Sequence, residues 1–526
     1  MTGETASPTE RSRDLRRRLG RAPPAAALVS EVLDDVRGSL ARGEGWEAIE
    51  LLETLLRRAE PTAEAHELLG IAHRQSQSLV AADKAFRQAA RLAPATPALR
   101  LASAQTCYEL GQPASAMFLE AARQLASTDP EQALAALRNT AQALASEGDM
   151  AGAETLLLRQ LTVRPDWLEG HRVLASLRWV TGSVADFDES YRTALAAEPG
   201  RRDLWLAWFG ALAQVRQWPR AQQILDEAEQ TCGDGPDLAA ARLFTAVEGG
   251  GRPDTVERLL KDTERLQGDV INLCRTRWLL RRGDAAAAEA VALPLTRGAS
   301  AMTFWPYVSL AWRLSGNPRA DWLEGGGEGA AGGFVRSLEV DISRRELTEL
   351  ADLLRQLLTL QRAYPEQSVR GGVQTDRSIL LRGEPPLQRL RRKLLEAVRE
   401  YVDGLPPHVD GHPMLGLRRD RLLLEGSWSV RLTSQGYNVA HTHPRGWISS
   451  AFYVSLPPPE QMGAAPAGWI VLGEPPPELD LQLAARCEIA PQPGRLVLFP
   501  SYTWHCTRPF AGGERLVVAF DIRRRA

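Results

Sequence analysis

Pro165 and Pro199 stand 34 residues apart, and the pattern between them recurs. Phe187, Tyr191 and Ala194 are followed, each after the same 34 residues, by Ala221, Leu225 and Ala228. A fixed period of this length marks stacked supersecondary units, and it restricts the fold more than any other feature of the chain. Each unit reads as a pair of helices. Small residues sit where the helices approach, large ones fill the space between, and a proline ends the second helix. Leu69-Gly70, His73, Ala82, Phe86, Ala89 and Pro94 make one copy, and Ala153, Leu157 and Pro165 belong to another. The register drifts between 95 and 135 and again after 232, and about seven or eight helix pairs are expected from roughly 45 to 300.

A single pair cannot bury its own apolar face, so the pairs must stack into an all-α solenoid of the tetratricopeptide type. The concave surface of such an array suits an extended peptide or a protein. Phe86, Trp205 and Leu225 are expected in the core. His66, His73 and His171 occupy helical repeat positions, where packing is the expected role.

The chain has 526 residues, more than one core can serve, since single cores rarely exceed about 250–300 residues. The division suggested by composition places a disordered basic tail at 1–30, the repeat array at 31–322, a Gly-rich linker at 323–333 and a second domain at 334–526. The run Gly325 to Gly333 reads as a flexible connector. A formal net charge of −2 argues against a general polyanion binder, so no nucleic-acid partner is expected. No apolar run approaches the roughly 20 residues that span a bilayer, and no membrane association is expected. The five cysteines are scattered and odd in number, which fits a reducing cytoplasm.

After Gly333 the period changes. Phe334 to Ile342 suits a strand, and Glu346 to Leu360 and Pro386 to Val402 suit amphipathic helices. Short β-type runs follow at Ser427–Leu432, Ile448–Leu456, Gly468–Leu472, Cys487–Ile489, Arg495–Phe499 and Arg515–Ile522. Many short strands after a helical prelude predict an α+β jelly-roll or double-sheet barrel. Five of the eight histidines fall between 408 and 505. His441 and His443 are two apart, and on a strand they share one face. His505 follows on another apolar run, and Arg515 comes ten residues later. Three imidazoles with open positions beside them suit Fe(II), and a guanidinium nearby suits a carboxylate. His408 and His412 lie in a Pro/Gly-rich loop and read as solvated.

These residues resemble a known family. Gly436-Tyr437-Asn438-Val439-Ala440-His441-Thr442-His443-Pro444, with Trp447 to Val454, is similar to the start of the metal-binding core of 2-oxoglutarate/Fe(II)-dependent oxygenases. Gly494 to Ser501 with Trp504-His505 resembles its second half, and Arg370 to Thr375 an upstream segment. The resemblance spans roughly 334–526, and the array before it resembles tetratricopeptide-fused members. It implies a double-stranded β-helix, with Fe(II), 2-oxoglutarate and O2 as cofactor and cosubstrates. By position His441 and His505 match metal ligands, and Arg515 matches the group that grips the far carboxylate of 2-oxoglutarate. Asn438 and Tyr453 are candidate polar contacts in the same pocket. The family pattern is His-x-Asp…His, and His443 stands where the Asp is expected. Three histidines then hold iron, or two with water, or His443 pairs with His505 while His441 stands behind.

The implied reaction is hydroxylation of a side chain on a peptide or protein captured by the array. The alternatives are a small-molecule oxygenase whose repeats assemble partners, and a non-catalytic scaffold with a cupin-like metal-binding domain.

Overall fold

A computed structural model describes residues 8–21, 24–325, 333–360 and 362–524. The expected linker at 323–333 falls largely outside the described residues. Its first part does not behave as a linker: Leu323 is buried within the helix Arg319–Glu324.

Among the described residues, fifteen α-helices run between Gly45 and Ala292, in keeping with seven or eight pairs. The period is written into the helix starts as well as the core. Thr62 accepts a hydrogen bond from Ala65 N, Thr96 from Leu99 N, and Asp129 from Gln132 N. Each side chain satisfies a backbone donor that the first turn leaves open. Pro97 and Pro130 follow two of these caps, where a missing N–H costs nothing. Gly70 shows why the repeat needs a small residue: a Cβ there would lie 2.4 Å from the ring of Phe86. Phe86, Trp205 and Leu225 are buried as expected. His171 packs too, with Nδ1 2.9 Å from Ser190 Oγ, Nε2 2.9 Å from Pro165 O, and its ring stacked on Tyr191.

The expected disordered tail is corrected in part. Residues 1–7 and 22–23 lie outside the described residues, but Pro8–Arg21 is a helix. Leu15 and Leu19, four apart and so on one face, are buried with Val32, Val36, Leu51 and Leu52. The basic composition masked this two-residue apolar stripe.

Contacts divide the chain into two compact units. One comprises residues 1–157 with 381–384, the other residues 158–380 with 385–526. The second unit holds the later repeats together with the whole β region.

That β region has nine strands among the described residues: β1 (Arg336–Glu339), β2 (Val369–Gln374), β3 (Leu424–Asn438), β4 (Gly446–Ser455), β5 (Ile470–Leu472), β6 (Cys487–Ile489), β7 (Arg495–Pro500), β8 (His505–Thr507) and β9 (Arg515–Arg523). Six form an antiparallel sheet in the order β1-β7-β4-β9-β3-β2, and three form a smaller sheet, β6-β5-β8. Both sheets contribute to one core. Ala451, Tyr453, Val497, Phe499 and Val517 come from the large sheet, and Ile470, Leu472 and Ile489 from the small one. This is the expected double-sheet architecture. The other face of the large sheet is also covered, with the helix Arg344–Leu357 packed on β4. Strand β4 is therefore buried on both faces and reads as a continuous apolar run rather than an alternation.

Strand β2 is absent from the expected strands; its residues stood out only as a segment of the family resemblance. Its Gly371-Gly372 pair hides the strand signal and makes a bulge between Arg370 and Gly372, with Gly371 at φ +67°. A Cβ on Gly372 would meet the carbonyl oxygen of Arg431 at 2.2 Å.

Candidate metal centre and cosubstrate pocket

The three histidines converge, though not from the elements that the spacing suggested. β3 ends at Asn438 and β4 begins at Gly446, so His441 and His443 lie in the connection between them. That connection keeps strand-like alternation because it is paired. His441 and His505 exchange both backbone hydrogen bonds at 3.1 Å, and His443 N donates to Ser501 O at 2.9 Å. Residues 441 and 443 thus present their side chains to the same side, toward the start of β8.

The ring centroids of His441, His443 and His505 lie 4.1 to 5.1 Å apart, and one nitrogen from each ring lies within 4.8 Å of the other two. Every Nδ1 is engaged away from the centre: that of His441 with Val439 O at 2.8 Å, that of His443 with Asp521 Oδ2 at 2.5 Å, and that of His505 with Thr503 O at 3.1 Å. Acceptors behind Nδ1 select the tautomer with its proton there and leave Nε2 with a lone pair. Metal-ligating histidines are held in this way.

The electrostatics separate one ring from the other two. Burial, with the charge of His443 beside it, pushes His441 down to about 3. Burial and the neighbouring rings hold His505 well below the ordinary imidazole value. Burial also acts against His443, but the charge and hydrogen bond of Asp521 outweigh it and hold that imidazole above its usual value. Phe499 flanks His505 at 4.8 Å and Trp428 flanks His443 at 5.6 Å between ring centroids, so two aromatic walls limit access of water.

On β9, residues 515, 517, 519 and 521 share the face that looks between the sheets. Asp521 stands at the histidine end of this row and Arg515 at the other. Arg515 is 2 % exposed, and its guanidinium carbon lies 5.2 Å from the centre of the Tyr453 ring. Neither Arg515 Nε nor Tyr453 Oη has a hydrogen-bond partner among the described residues. The two carboxylates that could have neutralised Arg515 are engaged elsewhere: Glu514 with Arg355, and Asp521 with His443. A buried cation without a counter-ion is costly, and a bound carboxylate removes that cost. The residues present therefore fit both implied groups, a metal ion at the histidines and an anion at Arg515 and Tyr453.

The remaining candidates lie elsewhere. Asn438 spends its side-chain amide on Ser368 Oγ at 3.0 Å. Cys506 faces away from the centre, 3.5 Å from Glu474 Oε2, and burial pushes its thiol up to about 12. His408 is exposed beside Asp410, but His412 is not the solvated residue that its loop suggested. It is buried, donates from Nε2 to Trp322 O at 2.9 Å, and accepts at Nδ1 from the amides of Met414 and Leu415. Asp521, Ser449 and Ser501 were not singled out for the site. Ser501 entered only as the end of the run Gly494 to Ser501 in the family resemblance, and nothing in the local sequence marks the other two, because only the β4–β9 register brings Ser449 opposite Asp521.

Residues 426–521 match the model of a family described as "Putative 2OG-Fe(II) oxygenase". No curated protein matches the chain in sequence. Among solved structures, a prolyl-4-hydroxylase from Pseudomonas putida is similar at 17% identity, covering 37% of this chain and 94% of that one with a TM-score of 0.26. HygX from Streptomyces hygroscopicus, solved with nickel and 2-oxoglutarate, is similar at 14% identity, covering 36% and 82% with a TM-score of 0.25. The helical part is similar to a tetratricopeptide repeat protein from Parabacteroides merdae at 16% identity, covering 47% and 98% with a TM-score of 0.29. Behind an array of paired helices, the chain thus carries at residues 426–521 a match to the 2OG-Fe(II) oxygenases, a family that uses Fe(II), 2-oxoglutarate and O2.

Proposed function

We propose that His441, His443 and His505 hold Fe(II) through Nε2, that Arg515 with Tyr453 holds the far carboxylate of 2-oxoglutarate, and that the oxygenase hydroxylates a side chain of a peptide or protein engaged by the repeats. The observation that carries the metal site is the convergence of the three rings, each engaged at Nδ1 and each bringing a nitrogen within 4.8 Å of the other two. The cosubstrate reading is supported by a buried guanidinium that has no carboxylate partner among the described residues and lies beside a buried phenol on the same inner face.

Bound iron with 2-oxoglutarate and O2 would supply the oxidising chemistry, in which the ketoacid loses CO2 and gains one oxygen atom of O2 to become succinate while the other passes to the substrate. The chain's own part is to bind, orient and shield. Arg515 fixes one end of the cosubstrate by a charge-assisted fork. Val439 O, Asp521 and Thr503 O fix the three imidazoles, and Trp428 and Phe499 shield two of them.

The peptide or protein reading is supported by the way the repeats enter the walls of the site. Ala440, next to His441, and Trp504, next to His505, belong to one apolar cluster with Leu280, Ala288, Tyr307 and Leu310 of the last repeat helices. Tyr307 meets Trp504 edge-on at 5.5 Å. A chain bound along those repeats would lie beside the metal centre, and tethering raises its effective concentration there. The five cysteines are free thiols, which supports a reducing, cytoplasmic setting.

The test is succinate release from 2-oxoglutarate by the full chain with Fe(II), followed by mass spectrometry of candidate peptides for the gain of one oxygen atom. His441→Ala and His505→Ala should each abolish turnover, and Arg515→Ala should abolish it at 2-oxoglutarate concentrations that are limiting for the wild type. Succinate release that persists in all three would refute the site. Oxidation confined to small molecules would refute the peptide or protein reading.

A further inference from the structure

We propose that Asp521 supplies, from behind His443, the negative charge that a ligand carboxylate would otherwise bring to the metal centre. The inference rests on the iron-site reading above and adds a positioning residue that touches iron only through an imidazole.

Asp521 is 4 % exposed. Among the described residues its only ion-pair partner is His443; the arginines at that end of the sheet, Arg445 and Arg523, both pair with Glu425. A carboxylate buried without Arg or Lys is expensive unless a cation lies within reach. Either the His443 ring itself, when protonated, or a metal held by its other nitrogen can be that cation, and Asp521 is placed to serve both.

The carboxylate is also held in place. Oδ2 lies 2.5 Å from His443 Nδ1, and Oδ1 accepts from Ser449 Oγ at 2.7 Å. Ser501 Oγ stands 2.9 Å behind Ser449 Oγ. Ser449 and Asp521 are register partners across β4 and β9, so the sheet itself fixes this contact. The other two rings are backed by neutral carbonyls, of Val439 and Thr503. Only His443 carries a full charge behind it, and His443 is the position where the family pattern has an acid. Two histidines, plus a third joined to a carboxylate, give the metal the same formal charge as two histidines and a carboxylate. A carboxylate behind a ligating imidazole makes it the stronger donor.

The experiment is anaerobic titration of the full chain with Co(II), read by calorimetry and by the visible absorption of the bound ion. Asp521→Asn keeps the shape and removes the charge. It should weaken Co(II) binding by about 10- to 100-fold and shift the absorption bands, while the thermal melt stays cooperative. Ser449→Ala removes one hydrogen bond to the carboxylate and should weaken binding by less. Wild-type affinity in Asp521→Asn overturns the proposal; if that variant does not fold, wild-type affinity in Ser449→Ala overturns it. A different failure marks the underlying reading: wild-type chain that binds no Co(II), or His441→Ala and His505→Ala variants that bind it undiminished.

Discussion

Arg515 and His412 are two buried groups of opposite kinds. Arg515 is surrounded but has no carboxylate partner among the described residues and an unsatisfied Nε, whereas His412 has every ring nitrogen engaged. Substitution should separate them. Arg515→Ala should cost 2-oxoglutarate about 1.5–3 kcal/mol of binding, the range for a hydrogen bond to a charged group, with little change in melting temperature. Arg515→Lys should recover only part of the affinity, because an ammonium cannot offer the planar fork. Calorimetry on metal-loaded, anaerobic protein measures both. His412→Ala should leave cosubstrate affinity alone and lower the melting temperature. It strands two backbone amides and a carbonyl in the interior, at about 1–3 kcal/mol for each group left unsatisfied. Sequence made the first residue visible and obscured the second. Ten residues separate Arg515 from a histidine in a recognisable motif. His412 sits in a run of prolines and glycines that resembles a solvated loop, and its burial depends on Trp322, 90 positions away.

The elements that sequence revealed best have signals confined to themselves. The helix Arg344–Leu357 opens with a capping box, in which Ser343 accepts from Glu346 N and the Glu346 carboxylate accepts from Ser343 N. Ser343→Ala should cost about 1 kcal/mol of stability, measured by urea unfolding. The contribution of Glu346 carries a pH signature. The backbone and side-chain hydrogen bonds of Ser343, with that of Lys393, pull its carboxyl down to about 2 from an ordinary value of 4.5. A depressed carboxyl stabilises the fold fully above the unfolded value and loses that effect as the pH falls through the folded one. The difference in melting temperature between wild type and Glu346→Gln should therefore be constant from neutrality to about pH 5 and shrink below it. Elements defined by partners were harder to read. β2 needs the carbonyl of Arg431 to explain its glycines, and the His441–His443 segment owes its extended form to His505 and Ser501.

At the scale of the whole molecule, composition pointed to a clean cut at the glycine run, with a β domain that could be detached from its repeats. The second compact unit crosses that cut. Trp504 Nε1 donates to Pro306 O, Tyr502 Oη to Leu323 O, and Arg281 to Glu478 O. Arg313 reaches the carbonyls of Gly473 and Ala484. Leu479 and Trp504 lie with Tyr307 and Leu310 in a single apolar cluster. Removing residues 1–325 should therefore do more than abolish capture of a substrate. It should expose this cluster, cause aggregation or a loss of cooperative unfolding, and weaken metal binding. Light scattering and Co(II) titration of the truncated chain test this, and a soluble fragment with full metal affinity would restore the picture of a detachable domain. Glycine richness predicts chain flexibility from local conformational freedom. It carries no information about whether the segments on either side share a core.

The reciprocal backbone bonds between His441 and His505 have a kinetic meaning as well. They close a loop of 64 residues that contains β4, β5, β6 and β7, so the two ligands cannot meet until those strands have been set in order. Contacts of such sequence separation are slow to form because the entropy of closing the loop is lost before the contact is gained. Metal uptake during refolding should thus trail the recovery of helical signal from the repeats. The ion would act as a reporter of finished topology rather than as a nucleus around which the chain assembles.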